Sequence, residues 1–152
     1  MTVVVDASVA AKWILEEIDS DRAELILAAV EEKRLAILAP EILAAEIASI
    51  LWKAVWRDGM SVNDARERYS EFADVCPPLV RDSKLAAEAL QLALRFHRSV
   101  YDCLYIALAE QTPCEFVTAD EKLYNAVGTK LPSIRLLRDF TWQKKLQAGQ
   151  RV

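Results

Sequence analysis

The chain has 152 residues, of which 53% are hydrophobic and 28% charged, with three glycines and five prolines. That is one domain's worth of chain, able to bury roughly 70% of its unfolded surface without staples, and the composition excludes disordered, collagen-like and linker-like classes. With 19 basic against 23 acidic residues the net charge is −4, so no global positive field draws nucleic acid in, and such a role needs a local device, a metal ion or a small basic rim.

Val3-Val4-Val5 is a β-branched run that reads as a buried strand ending at Asp6. Ser8 opens a helix through Leu15 and Glu16, and a second helix runs from Asp19 or Ser20 to Glu32. Leu35-Ala36-Ile37-Leu38 is a second short strand. Pro40 stands where a helix begins, because its missing N–H costs nothing there, and that helix runs to about Trp56 before Asp58-Gly59 stops it. Ser61, with Asp64 three residues on, caps the next helix to about Val75. Pro77-Pro78 breaks the chain, and Leu79-Val80 is a third, weaker strand. Asp82 or Ser83 caps a helix to about His97, and Ser99 opens another with Asp102 at the capping-box spacing. Glu115-Phe116-Val117-Thr118 is the fourth strand, Asp120 starts a short helix ending near Gly128, and Ser133-Ile134-Arg135-Leu136 is a fifth strand. The tail from Thr141 is polar and expected to be loosely held.

Short apolar strands alternating with helices predict an α/β fold: a single three-layer α/β/α domain, residues 1–140, around a roughly five-stranded parallel sheet, followed by a polar tail, residues 141–152. Cys76, Cys103 and Cys114 are odd in number and lack CxxC spacing, so a disulfide framework is not expected and a reducing cytoplasm is the expected compartment. No charged start precedes an apolar run, and the apolar stretch from Leu25 is broken by Glu31-Glu32-Lys33-Arg34, so no membrane-spanning segment is expected.

Four acids stand in apolar company. Asp6 and Asp120 follow buried strands, where open α/β sheets place their ligands. The plain alternative is that each caps a helix. Asp102 is the only charged residue between Arg98 and Glu110, on a helix expected to be buried all round. The first-turn dipole returns about 0.3–1 kcal/mol, less than burying a bare carboxylate costs, so a cation, a proton or Arg98 must supply the rest. Glu46 flanks the stripe Leu43, Ile47, Ile50, Leu51, Ala54, with a rim position beside Lys53 or Arg57 as the plain alternative. In a parallel sheet the four share one rim. Two carboxylates ~5 Å apart repel by roughly 3 kcal/mol at an effective dielectric of about 20, and protons or a divalent cation relieve that.

An all-oxygen cluster suits Mg²⁺ or Mn²⁺. Zinc is disfavoured, because His97 is the only histidine and Cys103 points about 100° away from Asp102 on a helix. The scattered glycines exclude a phosphate-cradling P-loop, and one histidine near a helix end makes no nucleophilic triad. Hydrolysis of a phosphodiester by metal-activated water is the chemistry that remains. A phosphoacceptor receiver fold fits less well, since it wants an acidic pair after the first strand and an Asp after a central one. A dehalogenase-type phosphatase wants Asp-x-Asp where Asp6-Ala7-Ser8 stands.

Four motifs carry a family resemblance. Val4-Val5-Asp6-Ala7-Ser8 with Trp13-Ile14-Leu15 resembles the opening motif of PIN domains. Pro40 to Ile47, with Glu46 as its acid, resembles the second. Ser99-Val100-Tyr101-Asp102-Cys103-Leu104-Tyr105-Ile106-Ala107-Leu108-Ala109 is similar to the third, and Phe116-Val117-Thr118-Ala119-Asp120-Glu121-Lys122-Leu123 to the fourth. Their order and compact span resemble VapC-type toxins of toxin–antitoxin pairs. The resemblance implies a Mg²⁺- or Mn²⁺-dependent endoribonuclease with Asp6, Glu46, Asp102 and Asp120 as its acidic quartet, Asp6 and Asp102 foremost as metal ligands. Ser8 and Thr118 are then supporting hydroxyls, and Ser49 stands where many members carry Asn. Lys12, Arg98 and Lys122 are the basic residues available to an RNA phosphate. The resemblance also implies an antitoxin partner and a homodimer, for which the apolar Trp52, Val55 and Trp56 offer a surface. The competing reading is a PIN-fold binding or scaffold module without useful turnover.

Overall fold

The structure, a computed structural model, describes residues 1–141. The expected polar tail lies outside the described residues from position 142 on. In chain order the elements are β1 (Thr2–Val5), α1 (Ala7–Ala10), α2 (Ser20–Glu31), β2 (Ala36–Pro40), α3 (Ile42–Asp58), α4 (Val62–Val75), β3 (Leu79–Val80), α5 (Ala86–Phe96), α6 (Val100–Gln111), β4 (Glu115–Thr118), α7 (Glu121–Val127) and β5 (Ile134–Leu136).

The five strands form one parallel sheet in the order β3-β2-β1-β4-β5. Chain progress runs outward from β1 through β2 to β3, then crosses back to β4 and on to β5. The direction therefore reverses between β1 and β4, and the crevice beyond their carboxyl ends is the topological switch point where such sheets bind ligands. The register Val4↔Phe116 and Val5↔Val117 brings Asp6 and Thr118 side by side at that crevice.

Side-chain alternation along β1 explains why it reads as a continuous apolar run. Val4 faces one core, with Phe116, Leu43, Ile47, Phe72 and Ile106. Val3 and Val5 face the other, with Ala23, Ile26, Leu35, Ile37 and Val117. A central strand covered on both faces has no polar side to show. The first core is much the larger, supplied by α3, α5, α6 and α7, while α2 covers the opposite face. Fully burying each Val, Leu, Ile or Phe contributes roughly 1.5–3 kcal/mol, so this lopsided sandwich rests mostly on the α3–α6 side.

Several boundaries differ from the sequence reading, each for a local reason. The helix after Asp6 is a single turn that tightens to 3₁₀ geometry over Ala11–Trp13. Pro40 ends β2 instead of opening α3, because the neighbouring Ala39 and Glu41 N–H groups carry the pairing to β3. Asp82 does not cap the helix that follows it; its Oδ1 accepts the Ile42 N–H at 3.2 Å and so ties β3 to the start of α3. Gly59, at φ 77°, closes α3 in the left-handed region that favours glycine. His97 ends α5, as expected of a helix-end residue.

Candidate active site

Asp6 caps α1, and its carboxylate is 7% exposed at the switch point. Oδ1 accepts from the Ser8 N–H at 3.1 Å, the Val9 N–H at 3.3 Å and the Ser8 hydroxyl at 2.5 Å. Oδ2 accepts from the Thr118 hydroxyl at 2.5 Å. All four donors favour the charged form. Burial outweighs them and, with a smaller push from Glu46, raises Asp6 to about 6. At neutral pH it is still mostly a carboxylate, and no Lys or Arg pairs with it among the described residues.

The two hydroxyls also join β1 to β4. Ser8 Oγ accepts the Ala119 N–H at 2.8 Å, and Thr118 Oγ1 accepts the Asp120 N–H at 3.1 Å. Asp120 caps α7 through the Leu123 N–H at 3.0 Å and stays partly exposed. The plain capping reading thus describes the geometry of both strand-end acids. It does not account for their meeting through one buried threonine.

Glu46, half-buried on α3, accepts at Oε2 from the Tyr105 hydroxyl at 2.5 Å. Burial raises its carboxyl, as do Asp102 and Asp82, while the tyrosine lowers it. Asp102 departs from the expectation of full burial. From Cys103 to Ala109 the helix is buried, but its first turn stands clear, with Asp102 30% exposed and Tyr101 61% exposed. Arg98 pairs with Asp102 Oδ2 at 3.1 Å, the pairing that stood as the alternative to a cation or a proton.

Among the described residues no three His, Cys, Asp and Glu side chains stand close enough to hold a metal ion as they are. Some of the carboxylate oxygens already hold protein donors: two hydroxyls on Asp6, Tyr105 on Glu46, Arg98 on Asp102. The donor chemistry nonetheless fits a hard cation. It is all oxygen, and burial raises both Asp6 and Glu46, with Glu46 adding to the rise of Asp6 and Asp102 and Asp82 adding to that of Glu46. It does not fit zinc: Cys103 is fully buried, its thiol pushed up to about 11 by burial first and Asp102 second.

The profile of the PIN domain family matches residues 3–128. The chain belongs to the PIN-domain family. All four acids fall inside the matched span. The chain is similar to a protein named ribonuclease VapC3 from Pyrobaculum aerophilum, 32% identical over 125 residues that make up 81% of this chain and 92% of that one. It is equally similar to ribonuclease VapC9 of Mycobacterium tuberculosis, 32% identical over 133 residues, 86% of this chain and 94% of that one. Its fold resembles that of a toxin–antitoxin complex from Klebsiella pneumoniae, with a TM-score of 0.58 at 14% identity, covering 89% of this chain and 97% of that one.

Within the PIN fold the remaining candidates separate. Lys12 bonds Glu17 at 3.1 Å and lies beside Ala119 and Glu121. Lys122 is exposed on α7, and Ser49 is exposed on α3 with no side-chain hydrogen bond among the described residues. Arg98 is at the rim through Asp102, and its Nε is buried without a partner among the described residues. Two residues at the site are not among the site candidates the sequence offers, Asp82 being expected there only as a helix cap. Tyr105 lies one turn beyond Asp102, yet its partner Glu46 is 59 positions away. Asp82 follows β3 as Asp6 follows β1, and that strand-end position was the available signal.

Proposed function

We propose that this chain is the ribonuclease toxin of a toxin–antitoxin pair, a PIN-domain hydrolase that cuts RNA phosphodiesters at the β1–β4 rim with a divalent cation, Mg²⁺ or Mn²⁺. The observation that carries the reading is the pair Asp6 and Glu46: two carboxylates withdrawn from water, each raised partly by a neighbouring acid, with no basic partner among the described residues. Asp6 and Asp102 would hold the cation, with Glu46 and Asp120 completing the oxygen donors. The bound ion supplies a more acidic water and stabilises the leaving oxyanion. Glu46 or Asp120 orients the attacking water and receives its proton. Ser8 and Thr118 keep Asp6 fixed from behind. Arg98 takes a phosphate oxygen, which satisfies its unpartnered Nε once the guanidinium leaves Asp102, and Lys12 and Lys122 are weaker contacts to the strand.

An antitoxin segment is the proposed partner, and α3 and α4 supply the surface. Trp52 and Trp56 are 58% and 73% exposed and line a groove of about 450 Å³ with Val55, Val62 and Tyr69. A patch of that kind on a small domain marks an interaction site. The likeness to a toxin–antitoxin complex supports that occupant. A homodimer is also part of the proposal, and light scattering on the purified chain reads it directly. The scaffold reading has one observation in its favour, the Arg98–Asp102 pair, which neutralises an acid without a metal.

The test is cleavage of a single-stranded RNA by wild type and Asp6→Asn, each with Mn²⁺ and with EDTA. Cleavage confined to wild type with Mn²⁺ is expected. Equal cleavage in all four arms rejects the metal reading, and metal binding without cleavage favours the scaffold.

A further inference from the structure

We propose that Tyr105 is the positioning residue for Glu46: its buried hydroxyl clamps one carboxylate oxygen and leaves the other for the cation or its water. The inference rests on the functional reading above and deepens it, since it names the side chain that makes Glu46 a defined ligand.

A glutamate has three side-chain torsions, and a half-exposed one on a helix samples many rotamers. Glu46 is held at one point. The Tyr105 hydroxyl donates to Oε2 at 2.5 Å, and among the described residues this is the carboxylate's only hydrogen bond. Tyr105 itself is 2% exposed, so its donor has no access to bulk water and needs a partner inside the protein. The ring is fixed in turn. It stacks on Phe116 of β4 with centroids 6.0 Å apart and planes 8° from parallel.

The placement links α3, which carries Glu46, to α6 and β4, which lead to two of the other acids. Tyr105 lies on α6 one turn past Asp102, its ring leans on the strand that leads to Thr118 and Asp120, and its hydroxyl reaches α3. Glu46 is therefore referenced to the same framework as its neighbours. Supports of this kind behind a metal ligand are worth 10–100-fold in metal affinity or activity when removed.

The test uses the full chain and the variant Tyr105→Phe, which keeps the ring and its stack and removes one oxygen. Mn²⁺ affinity is read by calorimetric titration, and kcat and KM on a fluorescent RNA oligonucleotide. The expected result is a Mn²⁺ Kd raised, and kcat lowered, by about 10–100-fold, with the RNA KM unchanged. In a Glu46→Ala background, where the weaker residual Mn²⁺ binding is read in the same way, adding Tyr105→Phe is expected to leave the Kd unaltered. Wild-type Mn²⁺ affinity and turnover in Tyr105→Phe would overturn the proposal, as would an equal loss in the Glu46→Ala background. If wild type neither binds Mn²⁺ nor cleaves RNA, the functional reading itself falls and this proposal with it. Wild-type activity matched by Tyr105→Phe removes this proposal alone.

Discussion

Thr118 and Asp6, 112 positions apart, meet at 2.5 Å across the seam between β1 and β4, with the threonine hydroxyl donating into a carboxylate that is almost wholly withdrawn from solvent. The contact places the sheet's reversal point and the chemistry in one spot. Thr118→Val keeps the shape and removes the donor, leaving Asp6 Oδ2 without its partner. A buried acceptor left unsatisfied costs about 1–3 kcal/mol, so urea unfolding of Thr118→Val should show a loss of that size. A loss below about 0.5 kcal/mol would mean water or another group replaces the hydroxyl.

Asp6 also sets a pH dependence in the absence of metal. Its carboxyl is raised from 3.8 to about 6 on folding, so between those values the folded state binds more protons than the unfolded one. That contribution is fully present below pH 4 and is lost as pH rises through about 6. Its size is on the order of 3 kcal/mol at 1.36 kcal/mol per unit. Carboxylates with depressed values titrate the other way, so the informative quantity is the difference between wild type and Asp6→Asn. That difference should shift in favour of the variant between pH 4 and pH 7 in EDTA, measured by denaturant unfolding. A difference flat with pH contradicts the burial argument.

Asp6 and Asp120 could be read because a strand end is visible as a β-branched run broken by an acid. The apolar neighbours of Asp102 make it look more buried than it is. The residues around it are apolar, but the first turn of α6 projects past the sheet, and one-dimensional periodicity does not show where a helix emerges from its layer. Its Arg98 partner sits four residues earlier, a helical spacing that offers the pair directly. Tyr105 had no readable role, since its bond to Glu46 depends on how α6 packs against α3. Asp82 reads from the sequence as a cap for the helix after it, and nothing in a two-residue strand announces that its acid turns instead to the start of α3. The parallel sheet itself was legible, because strands covered on both faces leave no polar alternation to confuse with hairpins.

The Arg98–Asp102 pair makes a separable prediction. If Arg98 gives up Asp102 when a cation binds, Arg98→Met should bind Mn²⁺ about twofold more tightly, the worth of an i,i+4 pair of about 0.3–0.5 kcal/mol. The same variant should raise the RNA KM severalfold, because a phosphate contact is lost. Movement of the two constants in opposite directions is the signature, read by calorimetry and steady-state kinetics. Weaker Mn²⁺ binding in Arg98→Met would show that the arginine organises the site and does not compete for it.

The α3–α4 groove should be separable from catalysis. Trp56→Glu places a charge on an exposed position far along α3 from Glu46, so RNA cleavage should stay within about twofold of wild type, as for surface changes worth under 0.5 kcal/mol. Inhibition by co-purified antitoxin should be lost. Retained inhibition moves the partner to another face.

If the rim of Asp6, Glu46, Asp102 and Asp120 holds a hard cation, as proposed, thermal unfolding with and without Mn²⁺ must show it. Ligand at a hundredfold excess over its Kd stabilises the folded state by about 2.7 kcal/mol, which for a chain of this size raises the midpoint by about 5–10 °C. Wild type should show that rise, reversed by EDTA, and Asp6→Asn and Asp102→Asn should show little of it. A wild-type midpoint indifferent to Mn²⁺, or an equal rise in both variants, would mean that these carboxylates hold no cation.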